Sequence, residues 1–398
     1  MTDVRKAVII GSGIAGPVTA MALRNAGIEA TVYEAYATTA DGLGGQLTVA
    51  PNGLAALEII GAADAVRAVG QPIDRTVMAD GAGRAIGEFS GLAGLAPSQA
   101  LWRSDLYRAL HRKAADRGIE IAHGKRLVGV DEAGRGVAVR FADGTTAIGD
   151  VVVGADGIHS TVRTLIDPDA PGPEHVPLLN FGAASEISVP ADPDAMYFVF
   201  GKRAFLGYWV QPDGRTSWFA NVPHAEPMTI SQARSRPVAD WMAELRELYS
   251  DDSPGREIVQ HTRPDQLSVF GSMEIMPAVP HWHRGRMVLV GDAAHAPSSS
   301  SGQGASLAVE SAVQLARCLR DLPDVESAFA TYERLRRPRV EKVAKRAAKT
   351  NNSKALGPTA IRMMRMMMPL ATRTFLSPER TLGAEQRYRI DWDERVSA

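Results

Sequence analysis

Apolar positions along the chain fall in short runs broken by glycine-rich turns. The first run is Val8-Ile9-Ile10. A short stretch that is apolar throughout predicts a strand covered on both faces. "GSGIAG" follows, and Ala15, Ala20, Ala22, Leu23 and Ala26 then recur at helical spacing until Gly27. "ATVYE", Ala30 to Glu34, predicts the next strand, so this opening is one βαβ unit. The buried-strand signature returns twice. "DVVVGADGIHSTVRTLI" (Asp150 to Ile166) runs into Gly154-Ala155-Asp156-Gly157 and then a short helical stretch containing Arg163. "VLVGDAAHAPSSSSGQGASLAVESA" (Val288 to Ala312) closes its strand at Gly291-Asp292 and ends in a helix.

Elsewhere the period changes. Gly124 to Gly154 alternates short strands with turns at Gly134-Gly136 and Asp143-Gly144, which predicts a small antiparallel meander. From Leu178 to Val222 the segments "LLNFGAASEI", "AMYFVF", "AFLGYWV" and "RTSWFANV" predict antiparallel strands, with Pro212-Asp213-Gly214 as a hairpin turn. Nine of the 24 aromatic residues lie in this window, which marks a broad apolar sheet. Period-two alternation puts Phe205, Gly207 and Trp209 on one face, opposite Leu206, Tyr208 and Val210. In the next strand Trp218 and Ala220 oppose Phe219 and Asn221. "YERLRRPRVEKVAKRAAK" (Tyr332 to Lys349) predicts a basic, solvated helix. "RMMRMMM" carries Met363, Met364, Met366, Met367 and Met368, whose simplest reading is core packing.

Composition narrows the function classes. With 398 residues the chain is long enough for two or three domains. Its net charge of -1 gives no global field favouring nucleic acid or an anionic membrane. Cys318 is the single cysteine, so no intrachain disulfide forms, which suits a reducing cytoplasm. No apolar run is long enough for a membrane span. His281 and His283 share one face of an extended segment, but no acid or cysteine cluster completes a metal site there.

The chemistry of the first motif follows from its spacing. Gly11, Gly13 and Gly16 keep the G-x-G-x-x-G interval. Gly11 permits the tight turn, Gly13 lets backbone approach a pyrophosphate, and Gly16 lets helix and strand pack closely. Ile14 and Ala15 open the helix, whose N-terminal N–H groups face the phosphates. Glu34 ends the second strand, placed for a ribose diol, which favours FAD or NAD over NADP.

The third motif holds Asp292, His295 and four serines, the residue types of a hydrolase triad. The hydrolase reading is poor. No G-x-S-x-G elbow occurs in the chain, and His295 follows Asp292 by one turn, whereas triads assemble from separate segments.

Taken in order, the three glycine motifs resemble those of the single-component FAD-dependent aromatic hydroxylases, the para-hydroxybenzoate hydroxylase-like monooxygenases. "LWRSDLYRAL" (Leu101 to Leu110) is also similar to the family's segment in which an arginine, here Arg103, lies against FAD. The resemblance implies an α/β fold: a Rossmann-like FAD-binding domain with an inserted antiparallel β-sheet substrate domain and a helical C-terminus. The expected boundaries are 1–72, 99–177 and 270–325 for the FAD domain, 73–98 and 178–269 for the substrate domain, and 326–398 for the helical segment. It implies that Asp156 and Asp292 serve FAD, with Asp292 on the ribityl chain. It also implies that the turn Gly302-Gln303-Gly304, followed by Ala305 as a further cofactor-binding residue, brings helix N–H groups beside the flavin pyrimidine ring, and that Ser298 to Ser301 are loop and cap residues.

The implied reaction uses NADH or NADPH and O2 to hydroxylate or epoxidise an aromatic or polycyclic, largely apolar molecule through a flavin C4a-hydroperoxide. Trp209 and Trp218 are the expected substrate wall. The cofactor carries the hard step, so no side-chain catalytic signature is required and none is named. Two other readings stay open: an FAD protein that shelters a reactive intermediate without its own turnover, and a flavin reductase of the same superfamily. The halogenase motif W-x-W-x-I-P is missing, and "YWVQP" does not match the prenyl-reductase motif.

Overall fold

Val8 and Ile9 lie fully buried at the centre of a parallel sheet. The computed structural model describes residues 2–38, 44–134, 136–351, 363 and 377–397. Lys6–Ile10 pairs in parallel with Glu29–Tyr33 on one side and Val151–Gly154 on the other. Val151–Gly154 in turn pairs in parallel with Met287–Leu289. The three buried-type strands expected from sequence are therefore neighbours in one sheet. Their glycine turns emerge side by side at its C-terminal edge, where ligands of open α/β sheets bind. Ala15–Asn25, the fingerprint helix, and Gly304–Asp321 pack together over this sheet.

A second sheet has seven strands, in the order Ser268–Ile275, Glu174–Ser185, Thr216–Pro223, Phe205–Val210, Ala195–Phe200, Arg75–Asp80 and Ala85–Ser90. It reaches beyond the expected Leu178–Val222 window at both ends. One face lies under the helices Val238–Leu248 and Gly255–Gln260, where Trp241, Met242, Leu245, Ile258 and Val259 cover Leu179, Phe181, Leu206, Tyr208 and Trp218. The opposite face turns toward the short strand Gln46–Val49, whose Gln46 side chain lies against Gly182. There Trp209 packs with Ile73, Ala100 and Met196. Gln46, on the short strand Gln46–Val49, donates from Nε2 to the carbonyls of Ala183 (3.2 Å) and Trp218 (2.9 Å), and so ties the two sheets together.

The basic helix Val325–Asn351 corrects an expectation. It is not simply solvated. Arg336 is fully buried and lies 2.8 Å from the equally buried Glu310, while Arg339 binds the same carboxylate and Arg346 binds Glu385. The acids come from distant segments, so the positive charge is compensated inside the protein. Met363 is exposed, and the other four methionines of the run lie outside the described residues. Among the described residues no helix is long and apolar enough to cross a membrane.

Candidate active site

Glycine makes the fingerprint turn possible by steric necessity. Gly11 sits at φ +96°, and a Cβ there would lie 2.5 Å from the Ala155 carbonyl oxygen and 2.7 Å from the Asp156 Cα. A Cβ on Gly16 would lie 2.0 Å from the Gly11 carbonyl oxygen. The first motif is thus pressed against the second. The third joins them at Gly291 (φ +59°), where a Cβ would meet the Cβ atoms of Ala15 at 2.9 Å and Ala308 at 3.3 Å. Arg163, buried, completes the junction: one guanidinium nitrogen donates to the Ala293 carbonyl (3.1 Å) and another to the Ile158 carbonyl (2.7 Å). Sequence reading placed Arg163 on the helix but missed this bridge.

Glu34 accepts from the Ser12 backbone N–H (2.8 Å), the Ser12 hydroxyl (2.9 Å) and the Tyr36 N–H (3.0 Å). It therefore braces the fingerprint turn, and a carboxylate's roughly four acceptor positions leave room for a ribose hydroxyl. Asp156 is occupied within its own loop. Its oxygens accept from the Ser160 hydroxyl (2.5 Å) and from the Thr161 and Val162 N–H groups (2.8 and 3.1 Å), which pins the helix Thr161–Ile166 to the strand end. Burial raises the Asp156 pKa, and those donors hold it back.

Asp292 differs. Its side chain opens to the groove and accepts no hydrogen bond from the described residues. Protein nevertheless surrounds it, so desolvation raises its pKa while Arg103 pulls it down. Arg103 itself crosses the turn. Its guanidinium would lie 3.8 Å from a Cβ on Gly13, and its aliphatic stem blocks any side chain at Gly44.

Two helices present uncapped N-termini. Ile14 stands at the N-cap of the fingerprint helix and Gln303 at that of Gly304–Asp321; neither makes a side-chain cap bond, and neither first turn contains an acid. Gly304 has open space where a Cβ would point, Ala305 follows it in the first turn, and Gly302 makes the bend at φ +61°. These features fit FAD. Close backbone approach and a free helix N-terminus suit a pyrophosphate, Asp292 would offer an acceptor to a hydroxylated chain, and the second N-terminus would stabilise negative charge on a reduced isoalloxazine. When bound, FAD supplies the redox and oxygen-transfer chemistry; this chain's residues bind it, orient it and exclude water.

The Ser/His/Asp set does not assemble. Ser298 caps the turn Ser299–Ser301 and touches the Met273 sulfur. The His295 Nε2 pairs with the Ser311 hydroxyl at 2.9 Å beside the Trp282 ring. Burial, reinforced by Arg336, lowers its pKa to about 3. The native imidazole is neutral below the ordinary histidine range, where the unfolded chain takes up a proton. His295 therefore favours the fold above pH ~6.5, and that contribution is lost as pH falls toward 3. His295→Gln should have a shallower acid-side fall in melting temperature than the parent between pH 6.5 and 4; parallel curves would refute this.

The expected substrate wall needs correction. Tyr208 pairs with Trp218, and Trp209 with Ser217, so Trp209 and Trp218 lie on opposite faces of the sheet. Trp218 is fully buried in the helix-covered core, and its indole N–H donates to the Thr262 hydroxyl at 2.9 Å. Trp209 is also buried, but on the cofactor side. Partly exposed aromatics on that side include Phe89, Phe198, Phe219 and Phe270.

Known proteins share the sequence family and the fold. Residues 3–347 match the family model described as an FAD binding domain. A 3-amino-4-hydroxybenzoate 2-monooxygenase of Streptomyces platensis is 34% identical over 385 residues, 92% of each chain. An FAD-dependent urate hydroxylase of Klebsiella pneumoniae is 30% identical over 86% of this chain and 89% of that protein. The solved structure of Klebsiella pneumoniae HpxO with FAD and uric acid matches with a TM-score of 0.80 at 25% identity, covering 91% of this chain and 93% of that one. Three glycine turns joined at one sheet edge, and a family match along most of the chain, lead to one conclusion: the chain belongs to the FAD-binding-domain family of flavin-dependent aromatic monooxygenases.

Proposed function

We propose that this enzyme uses NADH or NADPH and O2 to hydroxylate a flat, uncharged aromatic molecule held between the flavin turn and the cofactor-side face of the seven-stranded sheet. The observation that carries the reading is the composition of that face. Where its four central strands pair, it presents Asn180, Gly182 and Ala184; Ser217, Phe219 and Asn221; Phe205, Gly207 and Trp209; and Met196, Phe198 and Phe200. None is charged. A carboxylated ligand would be desolvated here without a partner, at a cost of several kcal/mol, whereas a neutral ring gains apolar burial and edge or face contacts with Phe219 and Phe198.

The geometry supports the position. Thr48 donates to the Gly302 carbonyl (3.3 Å), while Gln46, two residues earlier, touches the sheet. One short strand therefore touches both the turn and the sheet, at positions two residues apart. Asn221 donates to the Asn180 side-chain oxygen at 2.6 Å, leaving the Asn180 amide group as the polar mark on the wall. The relatives named above act on aminohydroxybenzoate and urate, which supports an aromatic substrate without naming this one.

The test is a panel of neutral and carboxylated phenols and heteroaromatics offered to the FAD-loaded enzyme. NAD(P)H oxidation should accelerate with neutral members, and the product mass should carry one atom from ¹⁸O2. Acceleration only by carboxylated members would refute the substrate class. Oxidation untouched by every compound, with no labelled product, would favour the sheltering role.

A further inference from the structure

The basic helix Val325–Asn351 touches the flavin turn at Ser301, and the segment 377–397 is tied to that helix. The inner route starts at Glu310 on the buried helix. Its carboxylate lies 2.8 Å from Arg336 and accepts two bonds from Arg339, each 2.8 Å. It also accepts from the Asn52 side-chain nitrogen at 2.7 Å, and the same nitrogen donates to the Gln303 side-chain oxygen at 2.9 Å. The outer route starts at Glu385 in the C-terminal segment. It forms a two-pronged ion pair with Arg346, whose guanidinium reaches the Ser301 carbonyl at 3.5 Å. Arg339 links the routes by also donating to the Glu385 carbonyl at 2.8 Å.

Asn52, Gln303, Glu310 and Arg336 are all buried. Buried ion pairs contribute little stability beyond an apolar replacement of the same volume, so the arrangement calls for another consequence. The donor inventory supplies it. An ionised carboxylate only accepts, so Asn52 must turn its NH2 toward Glu310. The second hydrogen of that NH2 then meets the Gln303 oxygen, which fixes which end of the Gln303 amide is donor and which is acceptor. Gln303 is the N-cap residue of the helix Gly304–Asp321.

We propose that Glu310, Asn52 and Glu385 form a clamp, in which two acids of the C-terminal third of the chain act with an amide from its N-terminal part, that positions the Ser301–Gly304 turn for FAD. All three are positioning residues, none of them catalytic. The proposal rests on FAD lying in the groove and not on the substrate class proposed above.

The experiment uses the full chain carrying Asn52→Leu or Glu385→Gln, titrated with FAD. Three readouts are taken: the dissociation constant, the visible spectrum of the bound flavin, and the melting temperature without FAD. Losing one hydrogen-bond relay should raise the dissociation constant about tenfold and shift the flavin bands. The FAD-free protein should melt within about 4 °C of the parent. Parent affinity and parent spectrum in both variants overturn the proposal. A variant that melts early but binds FAD as the parent does overturns it too, because the network is then only scaffolding. If Asn52→Leu does not fold, Glu385→Gln leaves Asn52 intact and decides the matter with the same readouts.

Discussion

Gly16→Ala should abolish FAD retention. The added Cβ would lie 2.0 Å from the Gly11 carbonyl oxygen, and that neighbour is backbone with nowhere to swing. Relief requires about 1 Å of separation between the fingerprint helix and its strand, because real contacts of this kind begin above about 3 Å. The helix N–H groups would then leave hydrogen-bond range of a pyrophosphate. Losing two or three such bonds at about 1 kcal/mol each weakens FAD about 30- to 150-fold. Gly27→Ala is the control. It lies just beyond the same helix at φ +78° with open space around it, so it should cost about 1–2 kcal/mol of backbone strain and keep its flavin. Both proteins would be purified, their colour recorded, and FAD affinity measured by fluorescence titration. A yellow Gly16→Ala protein with parent affinity would refute the close-approach account.

The contrast between those two glycines shows what was legible in the sequence. Close backbone approach is a local demand, and it leaves a local trace: glycine at fixed spacing between an apolar run and a helix. All three turns carry that trace, so the parallel sheet and its ligand-binding edge were readable. The charge on the C-terminal helix was not. Arg336, Arg339 and Arg346 resemble a solvated face until Glu310 and Glu385 are brought to them from distant positions, and nothing in the helix itself announces an acid beyond it. Asn52 was missed for the same reason: its partners Gln303 and Glu310 lie some 250 residues away. Gln46, which joins the two sheets, carries no motif at all.

The substrate sheet was half legible, and the missing half concerns register. Alternation correctly separates Trp209 from Leu206 and Trp218 from Phe219. It does not say how the two strands align. The Pro212-Asp213-Gly214 turn does, since Gln211 bonds back to Arg215 (2.8 Å) and pairing then proceeds Val210 with Thr216 and Trp209 with Ser217. Counting outward from that turn puts Trp218 opposite Tyr208, on the other face from Trp209. Which face then meets the helices depends on Trp241, Met242 and Leu245, contributed by a segment far from the hairpin.

Trp218→Ala and Phe219→Ala, adjacent in sequence, should therefore fail in different ways. Trp218 fills the helix-covered core at 0% exposure, and its indole N–H satisfies the Thr262 hydroxyl. Removing it deletes a large apolar side chain and leaves a cavity, which costs about 3–5 kcal/mol. The orphaned hydroxyl retains its bond to the Ile258 carbonyl (2.8 Å), so most of the loss is packing. The expected outcome is a markedly lower melting temperature and urea midpoint, with kcat and coupling close to the parent's in whatever fraction stays folded. Phe219 is only partly buried, and its ring lies across Gly207, where a Cβ would sit 2.2 Å from it. Truncating it removes part of the proposed wall without opening the core. Stability should change by about 1 kcal/mol, while substrate KM rises several-fold and a larger share of NAD(P)H oxidation ends in hydrogen peroxide, because a loosely held ring is out of place when oxygen is transferred. Melting curves and the ratio of product to NAD(P)H consumed separate the two variants. If Trp218→Ala is the uncoupled one and Phe219→Ala the unstable one, the assignment of the two faces is reversed.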